Sequence, residues 1–246
     1  MTDASREATP SRPAECALAA PPYNPAAGDG DPLRRNWTWS ALQAICCPVF
    51  YLYLGLRVRG LENVPAQGGA LFVINHASFL DPLLVGMPLR RPVSYLARDG
   101  LFRVPVIGAI LRATYVKPIN RDGGSTAVIR QTIERLDRGF LCGIFPEGTR
   151  SRDGVVKEFK PGLLALLRRT PHPIIPVGVA GSHLALGRGS WFLWPRRVAV
   201  VYGTPLGEAE LAGLHDRAQE AAVVERIRAR VIACQQHAEE VRQGRG

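Results

Sequence analysis

The chain predicts an α/β fold: a mixed, largely parallel sheet of about seven strands covered by helices. Two observations carry this. Short apolar runs alternate with longer amphipathic stretches from residue 57 onward, the pattern of strand and helix units. Polar clusters such as Asn75-His76-Ala77-Ser78-Phe79-Leu80-Asp81 and Phe145-Pro146-Glu147-Gly148-Thr149-Arg150-Ser151 begin where apolar runs stop. In open α/β sheets, active groups gather at strand ends. With 246 residues, 46% hydrophobic and 21% charged, the chain can bury a sizeable core and has a globular composition.

Residues 1–36 are rich in Ala, Pro, Ser and Asp and lack a basic start followed by an apolar stretch. They read as a disordered tail without a secretory signal. Residues 37–56 are uncharged and about long enough for a bilayer core, though Gln43 and Pro48 interrupt them. Arg34 and Arg35 precede the segment, Arg57 and Arg59 follow it, and tryptophans and tyrosines mark opposite ends. A spanning helix, a kinked helix in one leaflet and a buried core helix all compete. The flanks favour a membrane-associated helical segment.

Residues 57–246 form the main domain, including C-terminal helices. Strands are expected near 57–60, 70–75, 92–97, 114–118, 140–145, 173–179 and 197–202. Helices are expected at 82–88, 103–112, 124–138 and 160–169, with one or two within 208–240. Ile129, Ile133 and Leu136 share one helical face, and Gly139 follows as a C-cap. Pro176 should demote its strand to an edge or mark a bulge. There is no internal repeat and no nucleotide-binding glycine fingerprint.

The formal charge is +10, and it is uneven: residues 37–207 hold 21 basic and 9 acidic side chains. A central surplus of that size favours an anionic partner such as phospholipid head groups or a phosphorylated substrate. Nucleic acid is not indicated, because no nucleic-acid motif accompanies the charge. The five cysteines, Cys16, Cys46, Cys47, Cys142 and Cys234, show no zinc-site spacing. They read as small apolar residues in a reducing compartment.

His76 can move protons near neutral pH, and a carboxylate such as Asp81 can fix its tautomer. Five positions apart on one helix, the two would face apart. They meet only if His76 ends a strand and the chain turns before Asp81. A bland alternative makes Asp81 the N-cap and Pro82 the first residue of a helix, with Ser78 and Asp81 as a capping box. Ser78 also invites a serine-hydrolase reading, but no nucleophile elbow surrounds it. In the second cluster Gly148 permits close ligand approach, and Arg150 offers a fork matched to phosphate oxygens. Glu147 can accept a proton or hold an arginine. Arg121 ends a further short strand.

These blocks, then Arg121 and Ile175-Pro176-Val177, occur in an order that resembles the glycerolipid acyltransferase family, in its 1-acylglycerol-3-phosphate acyltransferase branch. The resemblance covers about residues 55–207. It departs at Tyr115, where the family commonly has a glycine six residues before the arginine. It implies acyl transfer from acyl-CoA or acyl carrier protein, as co-substrate, to the glycerol hydroxyl of a lysophospholipid. Lysophosphatidic acid is the default acceptor, with other lysolipids or an aminolipid as alternatives. His76 would be the general base and Asp81 its orienting partner. Arg121, Glu147, Gly148, Thr149, Arg150 and Lys160 would bind substrate. Residues 101–111 would line an acyl groove or form an ordinary packed helix. No cofactor and no metal is implied. The expected setting is the cytoplasmic face of a membrane with an anionic surface. A non-catalytic protein binding anionic lipid is the rival class.

Overall fold

The computed structural model describes residues 31–33, 36–119 and 124–245. Most of the expected tail, with Cys16, lies outside the described residues, as does Arg121. Seven strands form one sheet: β1 (Arg57–Arg59), β2 (Ala70–Ile74), β3 (Val93–Arg98), β4 (Lys117–Ile119), β5 (Leu141–Ile144), β6 (Ile174–Ala180) and β7 (Ala199–Tyr202). Their order is β1-β7-β6-β2-β5-β3-β4. Neighbours are parallel except β6 and β7, which are antiparallel. The expected mixed, largely parallel sheet is therefore present.

The helices are α1 (Trp37–Pro48), α2 (Asp81–Gly86), α3 (Asp99–Phe102), α4 (Pro105–Ala113), α5 (Gly124–Asp137), α6 (Gly162–Leu167), α7 (Ser182–Ala185), α8 (Glu208–Leu211) and α9 (Glu220–Gln243). Strands β2 and β6 are buried along their whole lengths, as central strands covered on both faces must be. Helix α9 lies along β6 and β7. It buries Val223, Ile227, Val231, Cys234, Ala238 and Val241, which recur every three or four residues on one face. Helix α5 buries Ile129 and Leu136 and ends at Gly139, whose φ is 85°. Burial pushes the thiol of Cys142 up to about 12 and that of Cys234 up to about 11. Cys46 and Cys47 are half-buried.

Four expectations need correction. Of the readings open for residues 37–56, the spanning helix is not formed: α1 gives way at Pro48 to a π-helical turn, Val49–Tyr53. Among the described residues no helix is long and apolar enough to cross a membrane. The segment buries Trp39, Phe50 and Leu54 in the core, and Gln43 donates to the carbonyls of Met87 and Leu89. The helix expected at 103–112 is α4 and starts two residues later, because Pro105 has no N–H to donate to a preceding turn and suits the first helical position; the short α3 ahead of it was not expected. The strand expected from 114 starts at Lys117: Tyr115 has a φ of 66°, incompatible with a strand. Finally, β6 is interior, despite Pro176. Its pairing to β7 begins only at Val177, so the proline sits ahead of that ladder, where its missing N–H breaks nothing.

Candidate active site

The register of two neighbouring strands assembles the site. In the β2–β5 pair, Val73 lies opposite Ile144. Three residues on in each strand come His76 and Glu147, so parallel pairing delivers them side by side. The backbone N–H of His76 donates to Glu147 Oε1 at 2.8 Å. The N–H of Ser151 donates back to the His76 carbonyl at 2.7 Å. On the other flank Asn75 ends β2 with a two-way bond to β6: its amide donates to the Val179 carbonyl at 3.0 Å and accepts the Val179 N–H at 2.7 Å.

After His76 the chain turns and enters α2 at Asp81. The His76 Nδ1 to Asp81 Oδ2 distance is 2.9 Å. The same oxygen accepts the N–H groups of Ala77 at 2.7 Å and Ser78 at 2.8 Å. Asp81 is fully buried. An ionised carboxylate only accepts, so Nδ1 of the neutral ring carries the hydrogen and Nε2 the lone pair. The N-cap expectation for Asp81 is corrected. Asp81 is the first residue of α2, and its carboxylate turns back rather than capping forward. Half of the expected capping box survives in the bond from Ser78 N–H. The Ser78 hydroxyl donates to the Leu186 carbonyl at 2.7 Å and accepts from Leu80 N–H at 3.2 Å. This commits it to holding the turn.

Glu147 is also buried. Its second oxygen accepts the Lys157 N–H at 3.2 Å. Burial raises its carboxyl above the ordinary range, opposed by the N–H groups of His76 and Lys157 and by the charge those side chains carry when protonated. Glu147 is thus a backbone clamp, where the sequence suggested a proton acceptor or an arginine partner. Phe145 stacks on the His76 ring with centroids 4.1 Å apart, and Tyr95 stacks behind Phe145 at 6.0 Å. Gly143 makes room for this column: a Cβ there would lie 2.2 Å from the Tyr95 ring.

Gly148 and Thr149 are exposed on the turn that follows. Gly148 has a φ of 66°, and a Cβ on it would meet the Lys160 side chain at 2.5 Å. Lys160 therefore crosses directly over the glycine. Its own N–H is tied to the Pro146 carbonyl at 2.9 Å. The Arg150 guanidinium lies 3.5 Å from the centre of the Phe79 ring, and its Nη1 is buried without a hydrogen-bond partner. Burial and the charge of Arg188 push this guanidinium down, while Asp81 opposes them. A buried donor without a partner is one that an anion would satisfy. Five of the six expected binding residues thus stand on one loop system beside His76. Among the described residues, no group of three or more His, Cys, Asp or Glu is placed to hold a metal.

The acyltransferase family profile matches residues 55–180, a stretch that contains both clusters. The chain belongs to the acyltransferase family. Its relatives include proteins named as 1-acyl-sn-glycerol-3-phosphate acyltransferases. The chloroplast enzyme LPAT1 of Arabidopsis thaliana is 29% identical over 163 residues, covering 65% of this chain and 46% of that protein. The enzyme of Bacillus subtilis is 27% identical over 178 residues, 72% of this chain and 86% of that protein. The similarity thus spans less than half of the plant protein and most of the bacterial one. The crystal structure of the 1-acyl-sn-glycerophosphate acyltransferase PlsC from Thermotoga maritima is similar in fold. Its TM-score is 0.64 at 24% identity, over 82% of this chain and 79% of that one.

In this acyltransferase-family chain the sequence pointed to His76, Asp81 and the second cluster, which the structure places together, but not to the residues that support them. Asn75 and Phe145 stood inside the quoted blocks without a role. Strand register, once known, would have assigned both. Phe79 gave no signal as the face that carries Arg150. Residues 101–111 hold both features weighed for them: Phe102 is buried, while Leu101, Val104 and Ile110 are exposed.

Proposed function

We propose that this chain moves a fatty acyl group from acyl-CoA or acyl carrier protein to the free hydroxyl of 1-acylglycerol 3-phosphate, giving phosphatidic acid. The observation that carries the reading is the 2.9 Å contact between His76 and a fully buried Asp81. It leaves Nε2 as a base. Nε2 takes the proton of the acceptor hydroxyl as its oxygen attacks the thioester carbonyl carbon. The tetrahedral intermediate collapses, the C–S bond breaks, and the thiolate leaves with the proton held by the imidazolium. No acyl-enzyme forms. General-base help of this kind is worth roughly a hundred- to ten-thousandfold; orientation of the two substrates supplies much of the rest.

Arg150, with its unpartnered Nη1, and Lys160, crossing Gly148, are the cations proposed for the acceptor phosphate, with Thr149 as a hydroxyl donor. Arg121 is proposed for the same phosphate on the resemblance alone. Residues 37–53 are proposed to rest on the cytoplasmic face of the membrane, since Trp37, Ile45 and Leu52 are 81%, 67% and 84% exposed.

The test is purified protein with labelled acyl donor and a panel of lysolipids, with product masses measured. His76→Ala should abolish transfer in a folded protein. Near-normal turnover by that variant removes the mechanism, and a product from another lysolipid or an aminolipid reassigns the acceptor.

A further inference from the structure

Between α7 and β7 the chain makes a long excursion carrying three large rings within four residues. Trp191 is 92% exposed, Phe192 43% and Trp194 53%. They pack edge-on against one another, with centroids 6.1 and 4.9 Å apart. An aromatic patch facing water is unfavourable unless something covers it. We infer that the loop of residues 186–197 is a membrane-docking element that seats the site on an anionic phospholipid surface.

Three observations select that occupant. The loop joins the exposed end of the N-terminal segment: Tyr53 OH donates to the Leu193 carbonyl at 3.0 Å, and Val198 N–H to the Leu54 carbonyl at 3.2 Å. Leu52 and the three rings therefore belong to one continuous region rather than two isolated defects. The charge is one-sided. Residues 159–207 contain six lysines and arginines and no acidic side chain, and residues 37–61 contain no acidic one. Arg188, Arg196 and Arg197 stand exposed around the rings. Aromatic rings among arginines without carboxylates suit the boundary between acyl chains and phosphate head groups. A second copy of this chain would bring the same unbalanced charge against itself. Finally, the loop is hung from the site. Its root, Leu186, accepts the Ser78 hydroxyl at 2.7 Å, and Ser78 is two residues from His76. Docking the loop sets the base beside the layer in which a lysophospholipid lies. The choice of a lipid partner rests on the lipid-acylation reading above.

The test uses the full chain carrying Trp37→Phe. Trp39 is buried, so quenching by vesicles with brominated acyl chains then reports Trp191 and Trp194. Quenching by phosphatidylcholine–phosphatidylglycerol vesicles is expected. Trp191→Ser with Trp194→Ser should weaken vesicle sedimentation about ten- to a hundredfold, from loss of two large apolar side chains. Arg196→Glu should weaken binding to the anionic vesicles and leave binding to pure phosphatidylcholine unchanged. Turnover on a water-soluble short-chain acceptor should stay as in the parent for all three substitutions. Absence of quenching in vesicle-bound protein overturns the inference, as does unchanged sedimentation of the double variant. A concentration-dependent dimer that the double variant abolishes assigns the surface to a second copy and overturns it equally. Quenching without any acyl transfer removes the catalytic reading and leaves the docking surface standing.

Discussion

Asp81→Asn tests the geometry most directly. In a catalytic triad, an amide in place of the carboxylate selects the wrong histidine tautomer. Here the structure predicts otherwise. The backbone N–H groups of Ala77 and Ser78 converge on Oδ2 at 2.7 and 2.8 Å. They demand an acceptor at that position, so the carbonyl oxygen of the introduced amide must take it. Nδ1–H of His76 then still finds an oxygen, and Nε2 keeps its lone pair. What is lost is the charge. Two unit charges about 4 Å apart interact by roughly 4 kcal/mol at an effective dielectric near 20. Hence kcat should fall by about a hundred- to a thousandfold as the developing imidazolium loses its counter-charge. The new amide nitrogen lands where Oδ1 has no hydrogen-bond partner, which costs about 1–3 kcal/mol of stability. Kinetics of thiol release together with ¹⁵N spectra of the ring would decide. An Nε2–H tautomer with activity as low as His76→Ala would refute the anchoring argument. Turnover within about threefold of the parent, less than 1 kcal/mol of barrier by rough conversion, would refute the role of the charge.

Arg150→Ala should lower acceptor efficiency about ten- to a hundredfold, the worth of a charged hydrogen bond, with little change in the donor KM. Lysine should rescue only partly; a loss confined to the donor would move Arg150 to the other substrate. Gly148→Ala must adopt a φ of 66° and push Lys160 aside. It should cost about 1–2 kcal/mol in stability and raise the acceptor KM, and an unchanged KM would detach Lys160 from the acceptor. Glu147 has its carboxyl raised by burial above an ordinary 4.5, so the folded state holds that proton longer than the unfolded one. The wild type should therefore lose stability as pH rises from about 4.5 through the raised value. Glu147→Gln should lack that limb, so denaturant midpoints should move in favour of glutamine with rising pH; the opposite slope would refute the assignment.

Much of this was legible in the chain because apolar runs such as Ala70-Leu71-Phe72-Val73-Ile74 are short, and polar clusters stop them abruptly. That pattern fixes strand ends without fixing strand order. Hence His76 and Glu147 could be named separately, while their pairing waited for the β2–β5 register. Pro176 misled because edge placement was inferred from the missing N–H alone; a strand that is longer than one of its ladders has room for a proline. For residues 37–56 hydropathy counts apolar residues without asking which face is buried, and Trp39 and Trp37 sit two positions apart with opposite fates. The aromatic loop carries no periodicity, so nothing in the pattern distinguished Trp191 from a core residue.

The amide of Asn75 occupies the place that one more residue of β2 would have filled against β6. Main chain is thereby released from the sheet without leaving Val179 unsatisfied. The next residue is caught at once by Glu147 and Ser151. His76 is located by polar bonds, each short and directional, within an otherwise apolar frame. Apolar surroundings tolerate exchange of one hydrocarbon side chain for another, whereas such bonds do not tolerate exchange of their atoms. Under the proposed function, selectivity for the acyl chain and placement of His76 can therefore vary independently in this architecture. An engineer could recarve the one while holding Asn75, Glu147 and Asp81 constant.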